Sequence, residues 1–484
     1  MVRAGLVNKA DLAQAVELTK NQDLRLGEAL VSLGILDTKT VEAFLHRIPS
    51  EPADLAATRI DENDLLTLLI KLIYVGRLAT LGQYIDAIRL PLPIVTELTS
   101  MAIERRLLHA LGTRKSDSLL DMSYAFTEEG RQYATDSLER SRYVGPAPVT
   151  IEEFNYQVSL QKLTNERITY EKIKNSLSQW KVESSLIEQA GPALNAGRSM
   201  LLYGPPGNGK TTVALCFASV FTDLIYVPYS IIVEGEIIRY FDPSVHQALE
   251  PVEEHKDDEG SFVRHERNDL RWVACKRPFI VTGGELTLDM LDMRYDMNGH
   301  FYEAPLHMKA LGGCLLIDDF GRQLVSPTHL LNRWIVPLEN RIDYMKLNTG
   351  KTFSIPFEEL VMFSTNLEPE DLMDPAFLRR LPYKIEVGPP DVDRYRAIFE
   401  MECSRVLMDL PDAAFQFIVR KIRDEKGMEF AAYHPRFIVD QVLATCRFMQ
   451  EPPQLKARYV EYAINNLRVH RHDQPNGTLT SARM

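Results

Sequence analysis

Cysteine is scarce in this sequence. Five cysteines are spread over 484 residues, and no two of them form a Cys-x-x-Cys pair. This spacing excludes a zinc-ribbon type of metal site and the disulfide framework of a small secreted domain. The thiols are therefore expected to be buried and reduced. Their positions are Cys216, Cys275, Cys314, Cys403 and Cys446.

Long apolar runs are also lacking. The most apolar stretch, residues 65–76, contains Lys71 and is too short to cross a bilayer. Charged residues at Arg3, Lys9 and Asp11 break any apolar segment at the start of the chain, so it does not resemble a signal peptide. These features predict a cytoplasmic protein without membrane insertion.

The chain has no excess of positive charge. Its formal net charge is −12, and 25% of its residues are charged. An acidic balance argues against broad, non-specific affinity for nucleic acid, although a local basic patch is compatible with it. The spacing of the histidines between residues 246 and 307 matches no metal-ligand pattern, which favours surface or hydrogen-bonded histidines.

The length predicts about three domains. Residues 1–48 have the apolar spacing of a small helical unit, and residues 65–142 read as three helices, two short strands and a helix, which suggests a winged-helix module. Residues 165–390 alternate strand and helix, residues 391–470 are almost all helical, and residues 471–484 have no apolar pattern and are expected to be disordered.

Alternation of strands and helices in the third region predicts an α/β fold with a mostly parallel sheet and helices on both faces. Each candidate strand is a short apolar run. The candidate strands are residues 199–203, 224–228, 278–282, 314–317, 360–364 and 384–387.

The most informative motif is a glycine-rich loop between a buried strand and a helix. Residues 204–211 read Gly-Pro-Pro-Gly-Asn-Gly-Lys-Thr. In such a loop the glycines let backbone N–H groups surround phosphate oxygens, the lysine contacts the outer phosphates and the hydroxyl binds Mg²⁺. The predicted ATP-binding residues here are Gly204, Pro205, Pro206, Gly207, Asn208, Gly209, Lys210, Thr211 and Thr212.

A second buried strand ends in two carboxylates, Asp318 and Asp319. Ligands of an open α/β sheet lie beyond the carboxyl ends of its strands, so both acids are expected to face the phosphates. One acid, Asp318, is predicted to hold Mg²⁺ together with Thr211, and Asp319 is predicted to orient or deprotonate the attacking water.

Together these motifs resemble the AAA+ ATPases, whose order of parts is phosphate loop, acidic strand end, polar sensor, arginine finger and second sensor in a helical lid. The resemblance covers roughly residues 165–470. It implies that Asn366 positions the water, that Arg380 (or its neighbour Arg379) is the finger, and that Arg436 is the second sensor. The family usually has Asp-Glu where this chain has Asp-Asp, which puts the hydrolysis rate in question.

The same resemblance implies an activity and an assembly. An arginine finger completes the site of a neighbouring subunit, so a ring is implied, most often a hexamer. ATP hydrolysis would move the lid and allow the ring to remodel or activate a protein partner. Long inserts and a predicted hairpin at residues 341–356 resemble those of MoxR-type chaperone-like ATPases. A pore-lining loop is predicted at residues 232–235, without the aromatic residue of threading unfoldases.

The amino-terminal modules leave alternatives open. Residues 25–36 resemble the amino-terminal domain of type II secretion and type IV pilus ATPases, in which an Arg-Leu-Gly string can bind cyclic di-GMP; Arg25 would do so here, and a simple helical docking domain is the alternative.

The winged-helix-like region allows a nucleotide-switched, DNA-associated regulator. Its recognition helix carries Arg105 and Arg106, with Arg114 and Lys115 following, but no dense basic face, so protein docking is the preferred interpretation.

Overall fold

The computed structural model describes residues 7–22, 26–37, 41, 48–113, 119–177, 183–249, 268–372 and 375–467. In the amino-terminal unit, helices span Lys9–Gln22 and Leu26–Ser32. Gly34 has a φ of 68°, a conformation that glycine adopts without strain, and it follows the second of these helices. All five cysteines are free and buried.

The region predicted to be a winged helix contains the expected order of elements. An antiparallel pair joins Leu108–Thr113 to Met122–Phe126. Asp61 and Thr80 cap the helices that follow them, since each side chain accepts a hydrogen bond from the first turn. The helices of this module are Glu62–Gly76, Leu81–Ile88, Leu92–Glu104 and Glu128–Arg140.

A five-stranded parallel sheet forms the centre of the α/β domain. Its three central strands are buried almost along their whole length, as expected for a parallel sheet covered by helices on both faces, while its two edge strands have exposed residues. The predicted α/β fold class is thereby confirmed. The spatial order of the strands is Tyr383–Glu386, Met200–Tyr203, Leu360–Thr365, Cys314–Ile317 and Phe279–Thr282.

One predicted strand lies outside this sheet. Leu224–Pro228 pairs antiparallel with Trp272–Lys276 and forms a separate two-stranded ribbon. The prediction that residues 224–228 join the parallel sheet is therefore wrong. Trp272–Lys276 directly precedes the edge strand Phe279–Thr282 in the chain. Leu224–Pro228 therefore pairs with the segment before the edge strand and not with the edge strand itself.

A second five-stranded sheet packs against the winged-helix-like module. Phe301, Ile232 and Ile237 from this sheet pack into the apolar core of that module. Residues 232–235, predicted to line a pore, include the turn of a hairpin within this sheet, and their role at a pore stays a prediction. The order of its strands is Arg294–Asp296, Phe301–Glu303, Glu236–Arg239, Ser230–Val233 and Val149–Thr150.

A buried arginine, Arg271, directly precedes the ribbon strand Trp272–Lys276 and contacts the linker after the winged-helix-like module. Arg271 is 1% exposed, and its guanidinium donates to both carboxylate oxygens of Asp269 and to the carbonyl of Pro148. Its Nη2 also lies 3.3 Å from Oε1 of Glu153. A buried guanidinium is normally stabilised by such paired acceptors, and Arg271 is an example of full pairing.

The remaining elements complete the domain and its lid. The hairpin predicted at residues 341–356 is confirmed, with strands Ile342–Lys346 and Thr352–Pro356.

Among the described residues, none of the helices combines the length and apolar character needed to cross a bilayer. The helices of the α/β domain are Ile151–Leu160, Tyr170–Leu177, Ser184–Ala196, Lys210–Ser219, Leu306–Lys309, Pro327–Asn340, Pro369–Leu372 and Pro375–Leu378.

The lid is a small helical bundle with its own core. Aromatic side chains such as Tyr395, Phe399 and Phe415 pack in its centre. Its helices are Val392–Arg405, Asp412–Val419, the π-helix Arg420–Glu425, His434–Phe448 and Ala457–Asn466.

Candidate functional site

The glycine-rich loop runs from the strand Met200–Tyr203 into the helix Lys210–Ser219. Its three glycines, Gly204, Gly207 and Gly209, have φ values of 132°, 82° and 83°. This region of backbone conformation favours glycine, so the sequence can form the tight turn without steric cost. A helix N-terminus follows directly, and its unpaired N–H groups and dipole favour an anion.

Lys210 lies inside the loop. Its Nζ donates to the carbonyls of Gly204 at 2.9 Å and Pro205 at 3.0 Å, and to Oδ1 of Asn366 at 2.6 Å. Burial lowers the pKa of Lys210, while the nearby carboxylates of Asp318 and Asp319 act in the opposite direction. The ammonium is therefore held at the base of the loop, next to both acids and the predicted sensor.

Thr211 and Asp318 form the predicted metal-binding pair. The Thr211 hydroxyl donates to Oδ2 of Asp318 at 2.7 Å, although the two residues are 107 positions apart in the chain. A hydroxyl and a carboxylate at this separation fit Mg²⁺, which binds hard oxygen ligands and retains several waters. When bound, the ion would neutralise charge on the phosphates of a nucleotide.

Asp319 faces the predicted sensor. Nδ2 of Asn366 donates to Oδ1 of Asp319 at 3.1 Å, and the backbone N–H of Asp319 donates to Oδ1 of Asp318 at 3.1 Å. Asp319 has a φ of 48°, in the left-handed region, which aspartate adopts more readily than longer side chains do.

The lid closes the other side of the site. A cleft of about 610 Å³ is lined by the phosphate loop and the two aspartates and by lid residues that include Arg436 and Tyr433. The Tyr433 backbone N–H donates to the Gly207 carbonyl at 3.0 Å, and an added Cβ at Gly207 would overlap the Tyr433 ring. Movement of the lid would therefore be transmitted directly to the phosphate loop.

Most predicted site residues thus come together. Pro206, Asn208 and Thr212 line the same cleft, with Asn208 accepting a hydrogen bond from the Ala432 backbone of the lid. Gly204 and Pro205 contribute through the carbonyls that hold Lys210.

The predicted arginine finger lies elsewhere. Arg380 and Arg379 line a different pocket, of about 720 Å³, on which Glu339 and Arg198 also lie. Nε of Arg380 is 2.6 Å from Oε1 of Glu339. Within one chain, the structure does not bring Arg380 to the phosphate loop. Its role as a finger, and the choice between Arg379 and Arg380, stay predictions.

Several features were missed or fall outside the description. Arg394 and Arg322 line the cleft without having been predicted, because a single arginine on a helix or in a loop carries no spacing signal. Arg25, Arg114 and Lys115, on which the cyclic di-GMP and DNA alternatives depend, lie outside the described residues, as do positions 250–267 of the insert and the tail from residue 468.

Comparison with known proteins gives limited similarity. Residues 391–466, within the lid, match a family described as a domain of unknown function (DUF8689). No curated protein matches the chain.

Among solved structures, the chain is similar to the Thermotoga maritima RuvB Holliday junction branch migration motor, at 16% identity over 63% of this chain and 74% of that one, with a TM-score of 0.33. It is also similar to Brucella abortus NtrX in complex with ATP, at 12% identity over 71% and 68%, with a TM-score of 0.38.

Similarity at these TM-scores carries no information about activity, so the fold is assigned from this chain's own elements. Its parallel sheet, phosphate loop, acidic strand end, sensor strand and helical lid follow in the order that the sequence predicted. The fold is α/β, with a five-stranded parallel sheet, a glycine-rich loop after one of its strands and a helical lid. The more specific resemblances, to MoxR-type ATPases and to the amino-terminal domain of secretion ATPases, stay predictions.

Proposed function

We propose that this protein is an ATP-hydrolysing AAA+ machine that remodels or activates a protein partner through ATP-driven motion of an oligomeric ring. The observation that supports this most strongly is a continuous hydrogen-bond chain at the carboxyl edge of the sheet. Lys210 donates to Asn366, and Asn366 donates in turn to Asp319. These three hydrogen-bonded residues follow three different strands of the sheet. This is the arrangement needed to bind and hydrolyse a triphosphate.

Each residue has a defined role in the proposed reaction. Lys210 and the loop N–H groups bind the phosphates, and Thr211 and Asp318 hold Mg²⁺. Asp319 accepts the proton of the attacking water, and Asn366 orients that water. Arg436 approaches the nucleotide from the lid. Arg436 lines the cleft, and its side chain is exposed. Within the described residues it forms one ion pair, a weak one, with Asp440 at 3.8 Å, so its guanidinium is available to a nucleotide.

The ring is proposed from the location of Arg380. Because its pocket is separate from the phosphate loop of the same chain, Arg380 can contribute to catalysis only by reaching the site of a neighbouring subunit. A hexamer is the assembly that the AAA+ resemblance implies. The partner is proposed to be a protein, recruited by residues 1–150.

Mixing two inactive variants tests completion of the site by a neighbour. We expect Lys210→Ala and Arg380→Ala each to lose ATPase activity, and a mixture of the two to regain part of it. In the mixture, an intact phosphate loop can meet an intact Arg380 from the adjacent subunit. Phosphate release by the separate and mixed proteins measures this.

Two controls make the mixing experiment specific. Glu339→Gln removes the ion pair of Arg380 while retaining the guanidinium, and should remain active; Arg379→Ala separates the two candidate fingers. A mixture that stays inactive while both variants assemble with each other, or an Arg380→Ala protein with full activity, would contradict site completion by Arg380.

Protein docking is the role we propose for the winged-helix-like module. The described surface beside its strand pair exposes Leu111, Leu119 and Leu120, with 57%, 63% and 46% of each residue accessible. Its third helix exposes Glu97 and Glu104, which oppose binding to phosphate backbones and offset the charge of the exposed Arg105 and Arg106 that follow. These observations favour a protein partner over DNA.

A further inference from the structure

The first lid helix, Val392–Arg405, presents one face to the nucleotide cleft. Arg394, Ile398, Met401 and Glu402 all line the cleft. Their spacing of four, seven and eight residues places them on the same side of an α-helix. This face was not predicted from the sequence, and Arg394 is its only cation.

Arg394 differs from the buried arginines that have structural roles. Its Nε is buried without a hydrogen-bond partner. No described carboxylate lies within salt-bridge distance of its guanidinium, whereas Arg271 and Arg333 each contact two described acids. Burial lowers the pKa of Arg394, while Glu183 and Asp391, acting from a distance, oppose that change.

An unpaired, partly buried cation destabilises a protein unless an anion compensates for it. In the described part of the chain, no side chain supplies that anion at contact distance. The guanidinium instead faces a cleft whose opposite wall is the phosphate loop, including Lys210 and Thr211. A phosphate group is the kind of anion that a guanidinium binds best, through two parallel N–H donors.

We infer that Arg394 is a second lid residue that contacts the phosphates of the bound nucleotide, in addition to the predicted Arg436. This inference rests on the proposed function, since it requires a nucleoside triphosphate in the cleft. Arg394 and Arg436 belong to different lid helices, Val392–Arg405 and His434–Phe448. Two guanidinium groups on separate helices would make lid closure depend on the phosphates.

Arg394→Met tests this contact, because methionine retains an apolar stem but removes the guanidinium. Calorimetric titration of the full chain with MgATP should show that affinity falls about 10- to 100-fold, as expected for loss of a charged hydrogen bond. Arg394→Lys, which retains the charge, should recover part of the affinity. The matched control is Arg396→Met, on the same helix, because Arg396 pairs with Glu400 and Asp412 outside the cleft.

Thermal unfolding distinguishes ligand binding from a structural role. Without nucleotide, Arg394→Met should be at least as stable as the wild type, since an uncompensated cation has been removed. With MgATP, its gain in unfolding temperature should be smaller than that of the wild type. Unchanged MgATP affinity, or lower stability without nucleotide, would overturn the role of Arg394. Absence of MgATP binding by the wild type would instead overturn the proposed function itself.

Discussion

Lys210→Ala is expected to abolish MgATP binding and turnover. In the described site, Lys210 is the only cation that donates hydrogen bonds to the carbonyls of Gly204 and Pro205 and to the side chain of Asn366. In the proposed complex its charge moves to the outer phosphates, and alanine supplies neither that charge nor the contact to Asn366. We expect phosphate release to fall on the order of 100-fold or more.

A matched lysine provides the control for this variant. Lys384 lies on a neighbouring strand of the same sheet, and its Nζ donates to the Leu381 carbonyl instead of facing the cleft. Lys384→Ala should therefore retain MgATP binding and turnover. Undiminished hydrolysis by Lys210→Ala would show that the glycine-rich loop is not the ATP site.

Asp319→Asn should separate nucleotide binding from hydrolysis. Asparagine tolerates the left-handed φ of 48° at this position and retains an oxygen that can accept from Asn366. It cannot accept a proton from water. Affinity for MgATP should therefore change little, while kcat should fall about 10²- to 10⁴-fold, the usual contribution of a general base.

Asp318→Asn is the informative comparison for this second prediction. Asp318 accepts the Thr211 hydroxyl at 2.7 Å, so its substitution should weaken binding of the metal–nucleotide complex as well as turnover. Equal effects of the two substitutions on MgATP affinity would contradict separate roles. A fully active Asp319→Asn protein would exclude Asp319 as the base. The stalled variant is also suited to capture of the protein partner.

The sequence allowed the parts of the candidate phosphate site to be located because each of them is a local motif. Glycines before Lys210 and two acids after a buried strand have defined chemistry at fixed spacing. The closeness of Lys210 and Asn366, 156 residues apart, was implied only by the resemblance to the AAA+ ATPases. In the structure both residues lie beyond the carboxyl ends of parallel strands. The hairpin at residues 341–356 was equally predictable, since its turn and alternating pattern are local.

Other features depend on contacts that no local pattern records. The strand Leu224–Pro228 has ordinary strand composition, but its pairing with Trp272–Lys276 is set by tertiary structure. The sequence could not show which sheet it would join. Arg394 was missed for a related reason, because its lack of an acidic partner and its position opposite the phosphate loop exist only in the folded chain.

The most direct test of the central claim is ATP hydrolysis per chain measured over a wide range of protein concentration. A triphosphate held between the glycine loop and the two aspartates, with the neighbour's Arg380 completing the site, predicts turnover that rises steeply as subunits assemble. The rate per chain should reach a plateau once the ring is formed. A constant rate per chain down to concentrations at which the protein is monomeric, or no hydrolysis by the assembled protein, would contradict the account.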